Sequence, residues 1–396
     1  MAISKGLILK IFSAASIQRW NDRLRAMDLT ELDKQAHKMI IAYTLGKIEE
    51  GKAEFSWQEL IEYGIFEFLQ RVELTDLKPP IFYKIKEHEK EYTQLKNWVY
   101  ERLSSVIEPV GGNFATHFQG YFGNDQRSLP ASIIGAAHIY ATQFEFNIIG
   151  LTNPMDSEME DIQKDILSRQ QQYSELESVK QLESDKELEK FINLCGQLRF
   201  QLRWGNIRRV TTTSVLGHML MVAILAYLFS LEIGACPKRS TNNFFTGLFH
   251  DLPEVLTRDI ISPVKGSVEG IADIVKEYEK EQMREKVYSI IPSEWQDEMK
   301  MYTEDEFTNV VTLKGKITPV NPDEMNQYNQ DALNPRDGSL VKACDDLAAF
   351  VEAYAAIKNG TSVESLHEAA YEIKASYKNQ TIAGINFGQI YADFDL

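Results

Sequence analysis

The stretch Gly247–Val264 aligns without gaps on Gly64–Ile81, and Val275–Glu281 then matches Ile85–Glu91 in the same order. Upstream, Arg203-Trp204 mirrors Arg19-Trp20, and His218 is set opposite His37. Downstream, Ala343-Cys344-Asp345 falls opposite Ala136-Ala137-His138. One such match is within reach of chance; several in one order describe a unit built twice, and restrict the fold to two copies of it. That unit is helical. Residues 31–46, 57–72, 83–107, 132–149, 156–204, 214–233, 242–256, 268–291 and 341–359 read as helices, and few stretches alternate as strands do. The exception is 308–318, where Gly315 near a turn predicts one short β-hairpin. Pro319, Pro322 and Pro335 then break up a long loop.

A length of 396 residues agrees with two domains. The expected division is a first helical copy at 1–150, a helical connector at 151–195 and a second copy at 196–396. Within the connector, Met155–Glu189 carries Glu, Lys and Gln on most faces, as a solvated helix between two halves does.

Ionisable groups stand out against this apolar background. His250-Asp251 interrupts Phe249–Leu256, a run that otherwise reads as a buried helix, while His218 opens an apolar helix and Asp345 lies in a third. Singly, each has an ordinary explanation: a satisfied core histidine, a polar pair inside a helix, or a helix cap at Asp345 with Asp346 as its rival. As an ordered set they are better explained by one shared cation. Burying them unpartnered costs several kcal/mol, on the order of a domain's whole stability. Two imidazoles and two carboxylates suit Co, Mn, Fe or Zn better than Mg.

Composition limits the partners. The net charge is -16, with 58 acidic against 42 basic residues, which argues against a surface built to hold polymeric nucleic acid. A small phosphorylated ligand needs only one or two arginines. Cys195, Cys236 and Cys344 are far apart and form no CxxC, which implies neither disulfides nor a thiolate zinc site and fits a reducing cytoplasm. Lys5 and Lys10 make Met1–Ser16 a poor signal peptide, and the run Met219–Leu231 is too short to span a bilayer. A soluble cytoplasmic protein with no membrane partner is expected. Oligomeric state stays open, a homo-oligomer included.

The pattern His218…His250-Asp251…Asp345, with Arg203-Trp204 before it, Glu254 and Leu256–Asp259 within it and Val341–Asp345 closing it, resembles the HD-domain metal phosphohydrolases. Over Leu198–Tyr354 it is most similar to the YfbR-type 5′-deoxynucleotidases, which release phosphate from deoxynucleoside monophosphates. The resemblance implies an all-α chain of tandem HD-like bundles, the first copy degenerate. It implies one divalent transition metal on His218, His250, Asp251 and Asp345, with a small nucleotide as substrate. Asp251 and Glu254 become the candidate catalytic pair; Glu254, three residues on, would orient a water or relay its proton. Arg203 would hold the phosphate, Asp259 the sugar 3′-hydroxyl, and Trp204 would pack by the sugar and disfavour a 2′-hydroxyl.

Departures from the pattern bear on this. Gly217 stands where the family has Glu before the first histidine, Pro253 separates Asp251 from Glu254, and a longer insertion precedes Asp345. In the first copy Glu67-Phe68 replaces His250-Asp251, Arg71 replaces Glu254 and His138 replaces Asp345. His37, Glu67 and His138 still make a three-ligand set on paper. The preferred reading is that this copy has lost its metal and serves structure or regulation. Two further readings remain: hydrolysis of another nucleotide (a triphosphate, a cyclic nucleotide or an alarmone), and a nucleotide sensor without turnover. A triphosphate would call on Arg203, Arg208, Arg209 and Lys265, whereas an alarmone hydrolase would carry Asp where Val255 stands.

Overall fold

In the computed structural model, residues 2–75, 77–123, 128–258 and 270–396 are described. Helices α1 (Lys5–Phe12), α2 (Glu31–Glu49), α3 (Trp57–Leu74), α4 (Pro79–Lys86), α5 (Glu89–Ile107), α6 (Phe114–Gly123) and α7 (Leu129–Gly150) form the first half. Next come α8 (Ser157–Gln171), α9 (Glu177–Ser184) and α10 (Lys186–Gly196). The second half holds α11 (Val215–Glu232), α12 (Pro237–Phe249), α13 (Glu254–Thr257), α14 (Ile271–Lys286), α15 (Ser293–Thr303), α16 (Gly338–Lys358), α17 (Glu364–Ser376) and α18 (Phe387–Ala392). Among the described residues the fold is all-α apart from two small antiparallel hairpins. The expected one pairs β1 (Val310–Leu313) with β2 (Lys316–Pro319) around Lys314-Gly315, both at positive φ. The other pairs β3 (Thr381–Ile382) with β4 (Ile385–Asn386).

The duplication is visible in backbone detail. A 3₁₀ turn at Ser13–Ser16 and another at Gln197–Phe200 each lead into an isolated bridge, Gln18 to Thr30 and Leu202 to Ser214. Trp20 and Trp204 follow at φ 54° and 56°, in the left-handed region that a bulky residue seldom adopts. Thr30 then caps α2 by accepting from Asp33 N, and Ser214 caps α11 by accepting from Gly217 N. Both central helices are almost wholly buried and pack on each other, so the two halves share one continuous core. By length and composition α11 would suffice to cross a membrane, yet it lies at the centre of the protein.

The caps set a register that differs from the one read by residue identity. Four residues after its cap, α11 carries His218 and α2 carries Lys34; His37 lies almost a turn further on, opposite Met221. Three helix boundaries also differ from expectation, the first at Glu87-His88, where the helix read over 83–107 divides into α4 and α5. The stretch 156–204 is not one helix, because the chain turns after Gln171 and Asp185 caps a new start by accepting from Glu187 N and Leu188 N. Its later part is not a solvated face either: Val179, Leu182, Leu188, Phe191 and Ile192 are buried in the shared core. The helix expected through 256 stops at Phe249. Pro253 has no N–H to return to Phe249 O, so 250–253 form turns before α13.

Candidate metal centre

Three helices deliver the quartet. His218 projects from the first turn of α11, His250 and Asp251 sit where α12 ends, and Asp345 lies two turns into α16. Gly247 permits the close crossing that brings α12 in: a Cβ there would lie 2.7 Å from Ala223 Cα in α11. Asp337, just ahead of α16, is gripped bidentately by the buried Arg239 of α12 at 2.6 and 2.9 Å, which fixes where α16 starts. The result is a tight cluster. His218 Nε2 lies 2.9 Å from Asp345 Oδ1, and His250 Nε2 lies 3.3 Å from Asp251 Oδ2 and 3.9 Å from Asp345 Oδ1. Among the described residues, His218, His250 and Asp251 form the one group of three or more metal-ligating side chains whose donor atoms all lie within 4.8 Å.

The donor chemistry fits a cation. His218 Nδ1 donates to the Glu352 carboxylate at 3.0 Å, and His250 Nδ1 donates to Gly247 O at 2.9 Å. A neutral ring in either place then turns its Nε2 lone pair inward, towards carboxylates. Among the described residues His250 Nε2 is buried without a well-formed hydrogen bond, Asp251 Oδ2 approaching it at 3.3 Å. Burial opposes charge on this ring, yet Asp251 and Asp345 outweigh it and hold its proton up to about 9. For Asp345, burial is outweighed by His218 and Lys342, leaving the carboxyl well below its usual range. The cluster therefore demands positive charge at its centre, and a divalent ion held by His218, His250, Asp251 and Asp345 meets that demand.

Around the quartet, Arg203 bonds Asp251 Oδ2 through Nη1 and Glu352 Oε2 through Nε, both at 3.3 Å, and Trp204 Nε1 donates to Glu352 Oε2 at 2.8 Å. Glu352 thus orients His218, Arg203 and Trp204 together; burial raises its carboxyl, but Arg203 and His218 bring it down to about 2. Residue identity did not single it out, although it stands seven residues after Asp345 on the same helix face. Glu145 stands likewise after His138, so carrying the repeat further would have found it. Lys342 was also missed: its Nζ bonds Asp345 Oδ2 at 2.9 Å and Asp346 Oδ1 at 2.7 Å. Asp346 bonds Lys342 and Tyr377 and makes no contact with the histidines, which leaves Asp345 as the inward carboxylate.

Glu254 begins α13 beside a pocket of about 240 Å³ that His250, Asp251 and Glu306 also line. Burial raises the Glu306 carboxyl, and Asp251 adds to the shift. Asp259 and Lys265 lie outside the described residues. Arg208 is exposed, whereas Arg209 is buried and turned back onto Arg203 O and Thr213 Oγ1.

Gly217 has a physical reason. A Cβ there would meet Asp33 Oδ1 at 2.8 Å, and Ser214 Oγ donates to that same oxygen at 2.5 Å. The first repeat has placed its own carboxylate where a side chain at 217 would stand.

The equivalent place in the first repeat is built differently. His37, Glu67 and His138 do not meet. His37 Nε2 bonds Ile192 O at 2.8 Å and the ring packs edge-on to Phe144. Glu67 is engaged by Lys38 at 3.2 Å and by the Tyr121 hydroxyl at 2.9 Å. Lys34 Nζ lies 2.6 Å from His138 Nδ1, so a lysine amine stands where His218 faces Asp345 in the second repeat. Phe68, opposite Asp251, is core.

Residues 195–374 match the family model of the HD domain. The chain is 24% identical over 185 residues to a 5′-deoxynucleotidase of Pectobacterium atrosepticum, covering 46% of this chain and 80% of that protein. It is 34% identical over 101 residues to a 5′-deoxynucleotidase of Photobacterium profundum, covering 24% of this chain and half of that protein. A 5′-deoxynucleotidase of Cronobacter sakazakii is 31% identical over 128 residues, 29% of this chain and 62% of its own length.

Proposed function

We propose that this chain, whose residues 195–374 match the family model of the HD domain, is a metal-dependent phosphohydrolase releasing phosphate from (deoxy)nucleoside 5′-monophosphates. The observation that carries this reading is the convergence of His218, His250, Asp251 and Asp345 with Arg203 directly beside them. These four side chains would hold one ion of Co, Mn, Fe or Zn. When bound, such an ion supplies a Lewis acid and makes water a nucleophile near neutral pH.

The protein's own groups divide the remaining work. Arg203 spends Nε and Nη1 on Glu352 and Asp251, and the rest of its fork is left for phosphate oxygens. Glu352 keeps that fork and the His218 ring in fixed orientation, so neither must reorganise as substrate enters. Glu254, at the rim beside Asp251, takes the proton from the attacking water. Trp204, tied through its indole N–H to Glu352, presents a fixed apolar wall for the sugar, and Asp259 is the partner for the 3′-hydroxyl. Pairing of Asp251 with both His250 and Arg203 keeps it ionised, as a metal ligand must be.

The test is inorganic phosphate release from a panel of deoxynucleoside and nucleoside monophosphates with cobalt or manganese added. Turnover of at least one monophosphate, abolished in Asp251→Ala, is expected. Absence of release from the whole panel with either metal would overturn the reading.

A further inference from the structure

The first repeat encloses a cavity of about 1390 Å³, against about 240 Å³ for the pocket beside the metal quartet. Small-molecule sites usually measure roughly 300–1,000 Å³, so there is room for more than a nucleoside monophosphate. Its floor is the counterpart of the metal centre, with Glu67, Arg71 and His138 lining it. Five equivalent positions carry three carboxylates in the second repeat: Asp251, Glu254 and Asp345, beside His218 and His250. In the first they carry two cations and one carboxylate: Lys34 and Arg71 with Glu67, beside Phe68 and His138. A floor that called for a cation has become one that offers cations.

Lys34 is the least satisfied of these groups. It is fully buried, its polar contact is the His138 ring, and among the described residues no carboxylate lies within 4 Å of its Nζ. That ring is itself kept neutral by burial and by the surrounding cations. Burial, with Arg19 adding to it, holds the Lys34 amine well below the usual lysine range, and a purely structural copy would be better served there by Leu or Met than by a buried polar group with only a neutral partner. An anion on the cavity side of His138 would favour the charged form of Lys34 and give it a partner. Above the floor the walls are aromatic, with Trp20, Tyr83, Tyr92 and Tyr121 among them, and the Arg169 guanidinium lies 3.5 Å from the Tyr83 ring centre. The carboxylates at the floor are already engaged, Glu31 by Arg19 and Arg71 and Glu67 by Lys38 and Tyr121.

We propose that the first repeat is a metal-free binding site for a nucleoside polyphosphate, with the phosphates at Arg71 and His138 backed by Lys34 and the base among the aromatic walls. Without a quartet it binds and does not hydrolyse. The site stands whether or not the second repeat is a nucleotidase.

Equilibrium dialysis of the full chain in EDTA, with each of the four ribonucleoside and four deoxynucleoside triphosphates, tests this. At least one is expected to saturate at one per chain. Lys34→Met should weaken it about tenfold or more, the effect of losing one charge-assisted contact. Gly120→Trp is the second variant: Gly120 lines the cavity and a Cβ there meets nothing within 4 Å, so the indole fills the space without disturbing the core. It should weaken binding similarly, while Asp251→Ala leaves binding unchanged. The proposal is overturned if none of the eight saturates, if binding survives both first-repeat variants, or if Asp251→Ala removes it.

Discussion

In the second repeat Arg203 Nε and Trp204 Nε1 reach Glu352 at 3.3 and 2.8 Å; in the first, Arg19 Nε and Trp20 Nε1 reach Glu145 at 2.7 and 2.9 Å. Arg209 bonds back to Arg203 O, and Arg25 bonds back to Arg19 O, each at 3.0 Å. The scaffold that would orient a phosphate-binding arginine is therefore kept in both copies, down to a tryptophan at positive φ. What differs is the group each scaffold surrounds. Glu352 turns its other oxygen to His218, whereas Glu145 turns its own to the buried Arg199 at 3.2 Å. One copy supplies nitrogen and carboxylate donors; the other fills the same volume with Lys34, Phe68 and Arg71. The two copies thus differ in the charge they place here, with the surrounding frame intact.

The largest separation between the repeats should come from Glu254 and its counterpart Arg71. Glu254→Ala is expected to lower turnover about 10²–10⁴-fold with metal content unchanged, as for a lost general base. Steady-state kinetics beside elemental analysis measures both. Parent-like turnover would mean that another group serves the water, with Glu306, which lines the same pocket, a candidate.

Next come the paired glutamates. Glu352→Gln should weaken metal binding about 10–100-fold, because the group orienting His218 has lost its charge. Glu145→Gln should leave metal affinity alone and instead destabilise the protein by about 3–5 kcal/mol, since Arg199 and Arg19 lose a buried counter-charge. Chelator competition and denaturant unfolding separate the two outcomes, and equal effects on metal would undo the distinction between the copies. A smaller change is expected of Arg203→Ala: a higher KM, with turnover lowered as well if the fork tightens on the transition state.

The smallest belongs to His37. It is tied to Ile192 O in the core and lies away from both centres, so His37→Ala should cost about 1–3 kcal/mol of stability through an unmet carbonyl and a small void. Metal content and turnover should stay at parent levels. Loss of activity in a folded His37→Ala protein would show that the first repeat contributes to the chemistry.

His37 also shows where sequence reasoning slipped. Matching histidine to histidine placed it opposite His218, but the helix caps Thr30 and Ser214 place Lys34 there. Residue identity pulled the alignment by almost one turn, and only the cap-to-residue spacing corrects it. The helices, the duplication and the four convergent side chains were legible because spacing along a helix carries them. Glu352 was hidden as an ordinary acid in an amphipathic helix, although the repeat pairs it with Glu145. The stop at Phe249 was signalled by Pro253, which in the sequence registers as a spacer between Asp251 and Glu254. The breaks at Gln171 and Asp185 were masked by strong helix formers throughout 156–204, where tertiary burial of Leu182 and Phe191 decides the outcome. The cavity of the first repeat, assembled from distant helices, had no local signature at all.

The number and location of bound metal ions decide between one working centre and two. Elemental analysis of the purified chain, beside Asp251→Ala and Glu67→Ala, should find about one transition-metal ion per parent chain, none in Asp251→Ala and about one in Glu67→Ala. Two ions per parent chain, or stoichiometric metal in Asp251→Ala, would contradict the assignment of the metal to the second repeat alone.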